Sequence, residues 1–324
     1  MTDHFQALKI ETKNPILDKL AQLGHLPQKT TPETFRKTIS KRARAKTITV
    51  QLSLALANNN PSSILNKSYW NTFYCANAMT IEKGNVTCKY CKNRWCLVCN
   101  RVRTATNIRT YYNVLNKFEK PYFVTLTIPN VQGENLPSTI DGMLGNFREI
   151  IHSRTLRGLG AKGVRKLECT YNLGRNDYHP HMHIVVDGFQ QAEAIKKKWL
   201  GLYPGALEYL QDIRQCNEGS LMELFKYFTK IVSKVGKGEI AVYTNALDTI
   251  FRAMKGRRTY QGFGIKRDKI EDDYTVIDER FIDDEISTWV FEQDCSDWIN
   301  IVSGEKYTDY IPSKFDMNFI NSIK

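Results

Sequence analysis

The feature that most constrains this chain is its cysteine spacing: Cys88-Lys-Tyr-Cys91 and Cys96-Leu-Val-Cys99 fall within twelve residues, with Cys75 a short way upstream. Two C-x-x-C pairs so close together can grip one ion from two sides, and thiolates at this spacing favour tetrahedral Zn²⁺. The four residues between Cys91 and Cys96 make a tight loop, so the fourth ligand beside Cys91, Cys96 and Cys99 is either Cys88 or Cys75. Cys91-x4-Cys96-x2-Cys99 also matches a plant-type iron–sulfur spacing. That reading ranks second, because Arg94, Arg101 and Arg103 suit a surface facing phosphate rather than a redox centre. The ion is expected to staple a small module and to take no part in chemistry.

Charge gives the partner class. The 324 residues carry a formal charge of +12, unevenly spread. The first 110 residues hold 18 Lys and Arg against 5 Asp and Glu, whereas residues 271–297 hold 1 against 11. A basic body suits a polyanion, since neutralised phosphates release counterions, and nucleic acid is the expected partner. No run of 18 apolar residues and no secretory signal can be read, so a cytoplasmic protein without membrane association is expected, with its thiols reduced or metal-bound.

Three histidines lie in Tyr178-His179-Pro180-His181-Met182-His183-Ile184. The β-branched run that follows reads as a strand, and a period of two puts His181 and His183 on one face, where they can share a divalent cation. The preceding strand, Val164 to Asn172, offers Glu168 as a third ligand. Centring the turn on Arg175 and Asn176 pairs Glu168 with His183 and turns it to the same face.

Further on, Ser220 can cap and Gly236 can stop a helix whose apolar stripe includes Leu221, Leu224, Phe225 and Phe228. Its polar side carries Glu223, Tyr227, Lys230 and Lys234. Ser220-x-x-Glu223 also reads as a capping box, a purely structural use of that glutamate.

The order of these motifs carries a family resemblance. His-Pro-His-x-His at 179–183, a threonine-bearing strand at 122–128 before it and Glu223-x-x-x-Tyr227-x-x-Lys230 after it resemble the three motifs of HUH endonucleases. With the cysteine cluster, the Glu168 strand and Lys255-Gly-Arg257-Arg258-x-x-x-Gly262, residues 73–265 are similar to rolling-circle replication initiators of small bacterial plasmids. Cys88 is additional to the family pattern. The resemblance implies that Tyr227 attacks single-stranded origin DNA to give a 5′-phosphotyrosine and a 3′-OH primer, aided by Mg²⁺ or Mn²⁺ on His181, His183 and Glu168. It also implies that Lys230 stabilises developing charge and that Glu223 acts at termination. DNA contacts are expected from Arg94, Arg101, Arg103, Lys234, Arg257 and Arg258, and a host helicase and polymerase are expected partners.

The expected fold is α+β, with a central antiparallel, ferredoxin-like sheet as in HUH nucleases. The boundaries read as a basic, mainly helical region (1–70), a zinc module (71–110), the nuclease domain (111–270) and an acidic C-terminal tail (271–324). Tyr274, Phe281, Trp289, Phe291 and Trp298 interleave with the acids of that tail, a pattern expected either to mimic single-stranded DNA or to be a solvated or docking segment. Two other readings are a single-strand transposase or conjugative relaxase with the same chemistry, and a zinc-bearing nucleic-acid binder without catalysis.

Overall fold

A computed structural model describes residues 32–225, 233–235, 239–266, 274 and 276–324. The chain starts with helices α1 (Pro32–Asn59) and α2 (Asn66–Phe73), strands β1 (Ala78–Glu82) and β2 (Asn85–Cys88), and helix α3 (Leu97–Leu115). It continues through β3 (Pro121–Thr127), α4 (Leu136–His152), α5 (Arg154–Gly158), β4 (Gly163–Asn172), β5 (Asp177–Asp187), α6 (Phe189–Leu202), β6 (Asp212–Gln215) and α7 (Glu218–Phe225). Then come β7 (Ser233–Val235), β8 (Glu239–Ala241), α8 (Thr244–Met254), β9 (Tyr260–Phe263), β10 (Val276–Ile277), β11 (Ser287–Glu292), β12 (Asp297–Asn300) and α9 (Lys314–Asn321). Two compact units result.

The histidine unit comprises the described residues of Thr104–Lys230 and Met254–Glu271. Its sheet has the order β6-β3-β5-β4-β9 with every neighbour antiparallel. Taken in chain order, β3-α4-β4-β5-α6-β6 is a βαββαβ unit with its fourth strand beside its first, the ferredoxin-like arrangement, to which β9 adds an edge. On one face Val124, Leu126, Leu167, Met182, Ile184 and Val186 lie buried, with the buried Arg165 among them over the Phe147 ring. Helix α4 supplies Ile140, Met143, Phe147 and Ile150 at helical spacing and α6 supplies Ala192, Ile195 and Trp199. On the opposite face Phe123, Val164 and Val185 form a smaller core with Ile108, Tyr111, Leu115, Leu224 and Phe225. Gly163 is required where β4 meets its neighbours, since a Cβ there would lie 2.4 Å from the Val185 carbonyl oxygen.

The cysteine unit comprises Thr30–Arg103, Ile231–Ala253 and Asp272–Lys324. Its sheet, β10-β2-β1-β11-β12, is antiparallel throughout. The acidic segment expected as a tail therefore supplies three of five strands. Trp289 and Phe291 alternate along β11, so their rings enter a core with Met79, Ile81, Val86 and Trp298 while acids such as Glu292 stay exposed. Rings held this way are withdrawn from base stacking, and the DNA-mimic reading is overturned. A second difference concerns the helix expected to run to Gly236. Ser233–Val235 is instead a strand paired antiparallel with β8, Val235 lying opposite Glu239.

Among the described residues, no helix is long and apolar enough to cross a membrane. Trp298 is fully buried and its indole N–H donates to the Ala76 carbonyl at 2.8 Å. Trp298→Ala should cost about 3–5 kcal/mol of stability, read as a lower urea midpoint with an unchanged slope.

Candidate metal centres and active-site face

The hairpin β4–β5 builds the first centre. Asn172 pairs with Asp177 across a four-residue turn, and the register then places Glu168 opposite His181 and Lys166 opposite His183. The sequence reading paired Glu168 with His183, two residues away. A shift of two preserves the face, so Glu168, His181 and His183 do converge, with their donor atoms all within 4.8 Å of one another. Nε2 of His181 and Nε2 of His183 each lie 3.3 Å from the same atom, Glu168 Oε2.

The donor chemistry fits a cation. His181 Nδ1 lies 3.0 Å from the His179 carbonyl oxygen, which can only accept, so Nδ1 carries the proton and Nε2 a lone pair. Thr125 Oγ1 sits 3.2 Å from His183 Nδ1 and Phe123 stacks on that ring, fixing its orientation. Glu168 Oε2 is buried without a hydrogen-bond partner. Three buried acceptor atoms aimed at one point, one of them orphaned, are what a divalent ion with nitrogen and oxygen ligands requires.

Sequence reasoning missed the residue that completes this cluster. Lys166 is wholly buried on the same face, its Nζ 2.5 Å from Glu168 Oε1. Burial opposes ionisation of Glu168, but His181, His183 and the Lys166 ammonium together hold its carboxyl well below the usual range. Burial pushes His183 the other way from protonation, below its ordinary value. The signal for Lys166 was available: Lys166-Leu167-Glu168 has the same period of two that placed the histidines.

Helix α7 begins at Glu218, two residues before the expected cap Ser220. Asn217 Oδ1 accepts from the Ser220 backbone N–H at 3.0 Å, and Ser220 Oγ accepts from the Asn217 N–H at 3.3 Å. That reciprocal pair is the capping box, so Glu223 is released from the structural duty that sequence offered it. Its backbone carbonyl accepts from Lys166 Nζ at 2.9 Å. Tyr227 and Lys230 lie outside the described residues. Lys234 lies in β7, and only its backbone is described.

The second centre decides between two cysteines. The sulfurs of Cys75, Cys91, Cys96 and Cys99 all lie within 4.8 Å of one another. Sγ of Cys99 is 3.5 Å from that of Cys75 and 3.8 Å from that of Cys91, and thiolates on one tetrahedral ion would lie about 3.8 Å apart. Cys88 stands outside the group and accepts from Arg42 at 2.8 Å. Backbone N–H groups of Cys91, Lys92 and Asn93 point at the sulfurs of Cys75, Cys99 and Cys91, at 3.3, 3.3 and 3.4 Å. Thiol hydrogen bonds from Cys75, Cys96 and Cys99 push Cys91 down, whereas the Cys91 thiol pushes Cys75 up and burial pushes Cys96 up. Four such thiols cannot ionise together without a central cation, so the donor set fits a thiophilic metal. Lys46, also missed by sequence, is buried among these cysteines. Burial pulls it down to about 8 while they raise it.

The arginines proposed for DNA divide. Arg103 donates to the Lys92 carbonyl at 2.7 Å and to Asn100 Oδ1 at 3.2 Å, bracing the cysteine loop. Arg94 and Arg101 are half-buried. Arg257 makes a bidentate pair with Asp141, at 2.6 and 2.5 Å, which neutralises it, whereas Arg258 is exposed.

Metal analysis separates the cysteines. Cys75→Ser should lose the thiol-bound ion and unfold at lower urea, because binding of such an ion is part of the folding free energy, whereas Cys88→Ser should keep the ion. Equal metal content in both variants would remove Cys75 from the ligand set.

Comparison with known proteins gives the family of the chain. The Rep_1 family model, described as replication protein, matches residues 85–288. A Staphylococcus aureus protein named "Protein rep" is 33% identical over 170 residues, covering 47% of this chain and 74% of that protein. Proteins of the same name from a Bacillus species and from Streptococcus pneumoniae are 27% and 25% identical over 41% and 43% of this chain. The alignments span 49% and 50% of those two relatives, about half their length. No solved structure matches the chain. The family match takes in β4, the histidine strand β5 and α7, and more than half of the chain, so this protein belongs to the replication protein family, as its likeness to plasmid replication initiators anticipated.

Proposed function

We propose that the protein starts rolling-circle replication by cutting and rejoining one strand of unwound origin DNA. The observation that carries this reading is the convergence of His181 Nε2, His183 Nε2 and Glu168 Oε2 on one point of the sheet face, in a chain whose helix α7 leads in sequence to Tyr227. A Mg²⁺ or Mn²⁺ ion held there would draw charge from the scissile phosphate.

The remaining steps fall to the chain. His181 and His183 are held with their rings oriented by the His179 carbonyl and Thr125, and Glu168 is kept ionised by its neighbours. The Tyr227 oxygen forms a bond to phosphorus as the P–O3′ bond breaks, giving a 5′-phosphotyrosine and a 3′-OH that a host polymerase extends. A phenol with a pKa of about 10 is a weak nucleophile at neutral pH, and Lys230, three residues on in sequence, stabilises the phenolate or the charge on phosphorus. Glu223 activates water for the second cleavage that ends a round of synthesis. Single-stranded DNA is the substrate, since a flexible strand can bend its phosphate into the site and a duplex cannot. The four-cysteine site takes Zn²⁺ in a structural role, and the reaction runs in the cytoplasm beside a host helicase.

Labelled single-stranded origin candidates incubated with the protein and Mn²⁺ should yield a covalent adduct. Tyr227→Phe removes only the hydroxyl, so the adduct should vanish while the DNA dissociation constant stays within about threefold. An adduct that persists moves the nucleophile elsewhere. His181→Ala and His183→Ala should each lose Mn²⁺-dependent cleavage and keep the thiol-bound metal. Loss of that metal in either variant would overturn the assignment of the two centres.

A further inference from the structure

Lys166 does more than neutralise a carboxylate. Its ammonium is wholly buried, 2.5 Å from Glu168 Oε1, and it also donates to the Glu223 carbonyl at 2.9 Å. The Glu223 carbonyl belongs to α7, so this contact reaches from the sheet to the helix backbone. The next carbonyl, that of Leu224, accepts from the Tyr260 hydroxyl at 2.8 Å, and Tyr260 is the cross-strand partner of Lys166 on β9. Lys166 Nζ lies 5.9 Å from the Tyr260 ring centroid. Two neighbouring side chains of the sheet therefore hold the backbone of α7 at Glu223 and Leu224, and one of them also holds a ligand of the metal centre.

We propose that Lys166 is a positioning residue that couples metal binding to the placement of α7. By occupying Glu168 Oε1 it leaves Oε2 alone to face the two imidazoles, so the carboxylate serves as a one-oxygen ligand. The same ammonium holds the backbone at Glu223, four residues before Tyr227 in sequence. A cation that pulls on Glu168 thus tightens the strap on α7 through a single shared group. Tyr260 is the second strap, on the edge strand of the sheet, with its hydroxyl donating to the Leu224 carbonyl. This inference rests on the proposed nicking reaction for its catalytic consequence, but the coupling itself can be read without activity.

The test uses the full chain and two variants, Lys166→Met and Tyr260→Phe, each checked for folding by circular dichroism. Mn²⁺ affinity is measured from the electron paramagnetic resonance signal of free Mn²⁺. Hydrogen exchange of the α7 amides is followed with and without the ion. In the wild type Mn²⁺ should raise α7 protection. In Lys166→Met the ion should still bind at high concentration, through His181, His183 and Glu168, without raising that protection. At saturating Mn²⁺ its kcat for nicking should fall about 10- to 100-fold, the factor that one or two hydrogen bonds to a charged group are worth, with KM for single-stranded DNA within about threefold. Tyr260→Phe should lower kcat by a smaller factor at unchanged Mn²⁺ affinity, and it carries the test if Lys166→Met does not fold.

Restoration of the wild-type kcat in Lys166→Met by saturating Mn²⁺ would overturn the proposal, because Lys166 would then act on the metal alone. So would α7 protection that follows Mn²⁺ in that variant as in the wild type, or an unchanged kcat in Tyr260→Phe. A wild-type chain that binds Mn²⁺ and tightens α7 yet never nicks DNA would instead reject the nuclease reading and leave the coupling standing.

Discussion

The histidine unit depends on one buried carboxylate that must satisfy three neighbours at once. Glu168 is almost fully buried, with Lys166 on one oxygen and two imidazoles facing the other. Removing such a group from water costs several kcal/mol, and the cost is recovered only if its partners stay in place. The strand register keeps Lys166 and Glu168 two residues apart on one face, Pro180 to Val186 hold the imidazoles opposite, and the apolar layer on the far side stops the hairpin from slipping. A one-residue slip would turn Leu167 and Met182 outward and bury the charges in the opposite core, so the core and the site enforce the same register.

The cysteine unit solves a related problem with softer groups. Four thiols gather at the N-terminal end of α3 and the loop before it, with backbone N–H groups aimed at their sulfurs and the buried Lys46 close by. The surrounding core does not come from neighbouring sequence alone. β11 and β12, from the far end of the chain, lay Trp289, Phe291 and Trp298 beside Met79 and Ile81. A small metal knuckle has little apolar surface to bury by itself, and the returning strands supply the rest.

The proposed chemistry sits in the histidine unit. An ion held by His181, His183 and Glu168 would lie on the face that also receives α7, and Lys166 with Tyr260 holds that helix's backbone on the sheet at Glu223 and Leu224. Placement of this kind matters because phosphoryl transfer demands an in-line nucleophile and misplacement by an ångström is costly. The capping pair of Asn217 and Ser220 fixes where the helix begins, so Glu223 falls beyond its first turn.

Local periodicity made much of this legible in the sequence. Residue alternation marked β4, β5 and their faces, and cysteine spacing named three of four sulfurs, because each of those signals is set by neighbours a few residues apart. The choice of Cys75 over Cys88 was not local: it depends on how β2 carries Cys88 towards Arg42, forty-six residues away. The register of Glu168 was off by two because turn length is decided by how the chain closes around Gly174 and Asn176, and only parity survives that error. Net charge misled for residues 271–297, since it counts the exposed acids of a strand as heavily as the buried rings that alternate with them. The sequence by itself determined which residues can ligate, cap or face a core. Tertiary structure alone decided which of them meet, since contacts such as Lys166 with Glu223 join segments that no local pattern relates.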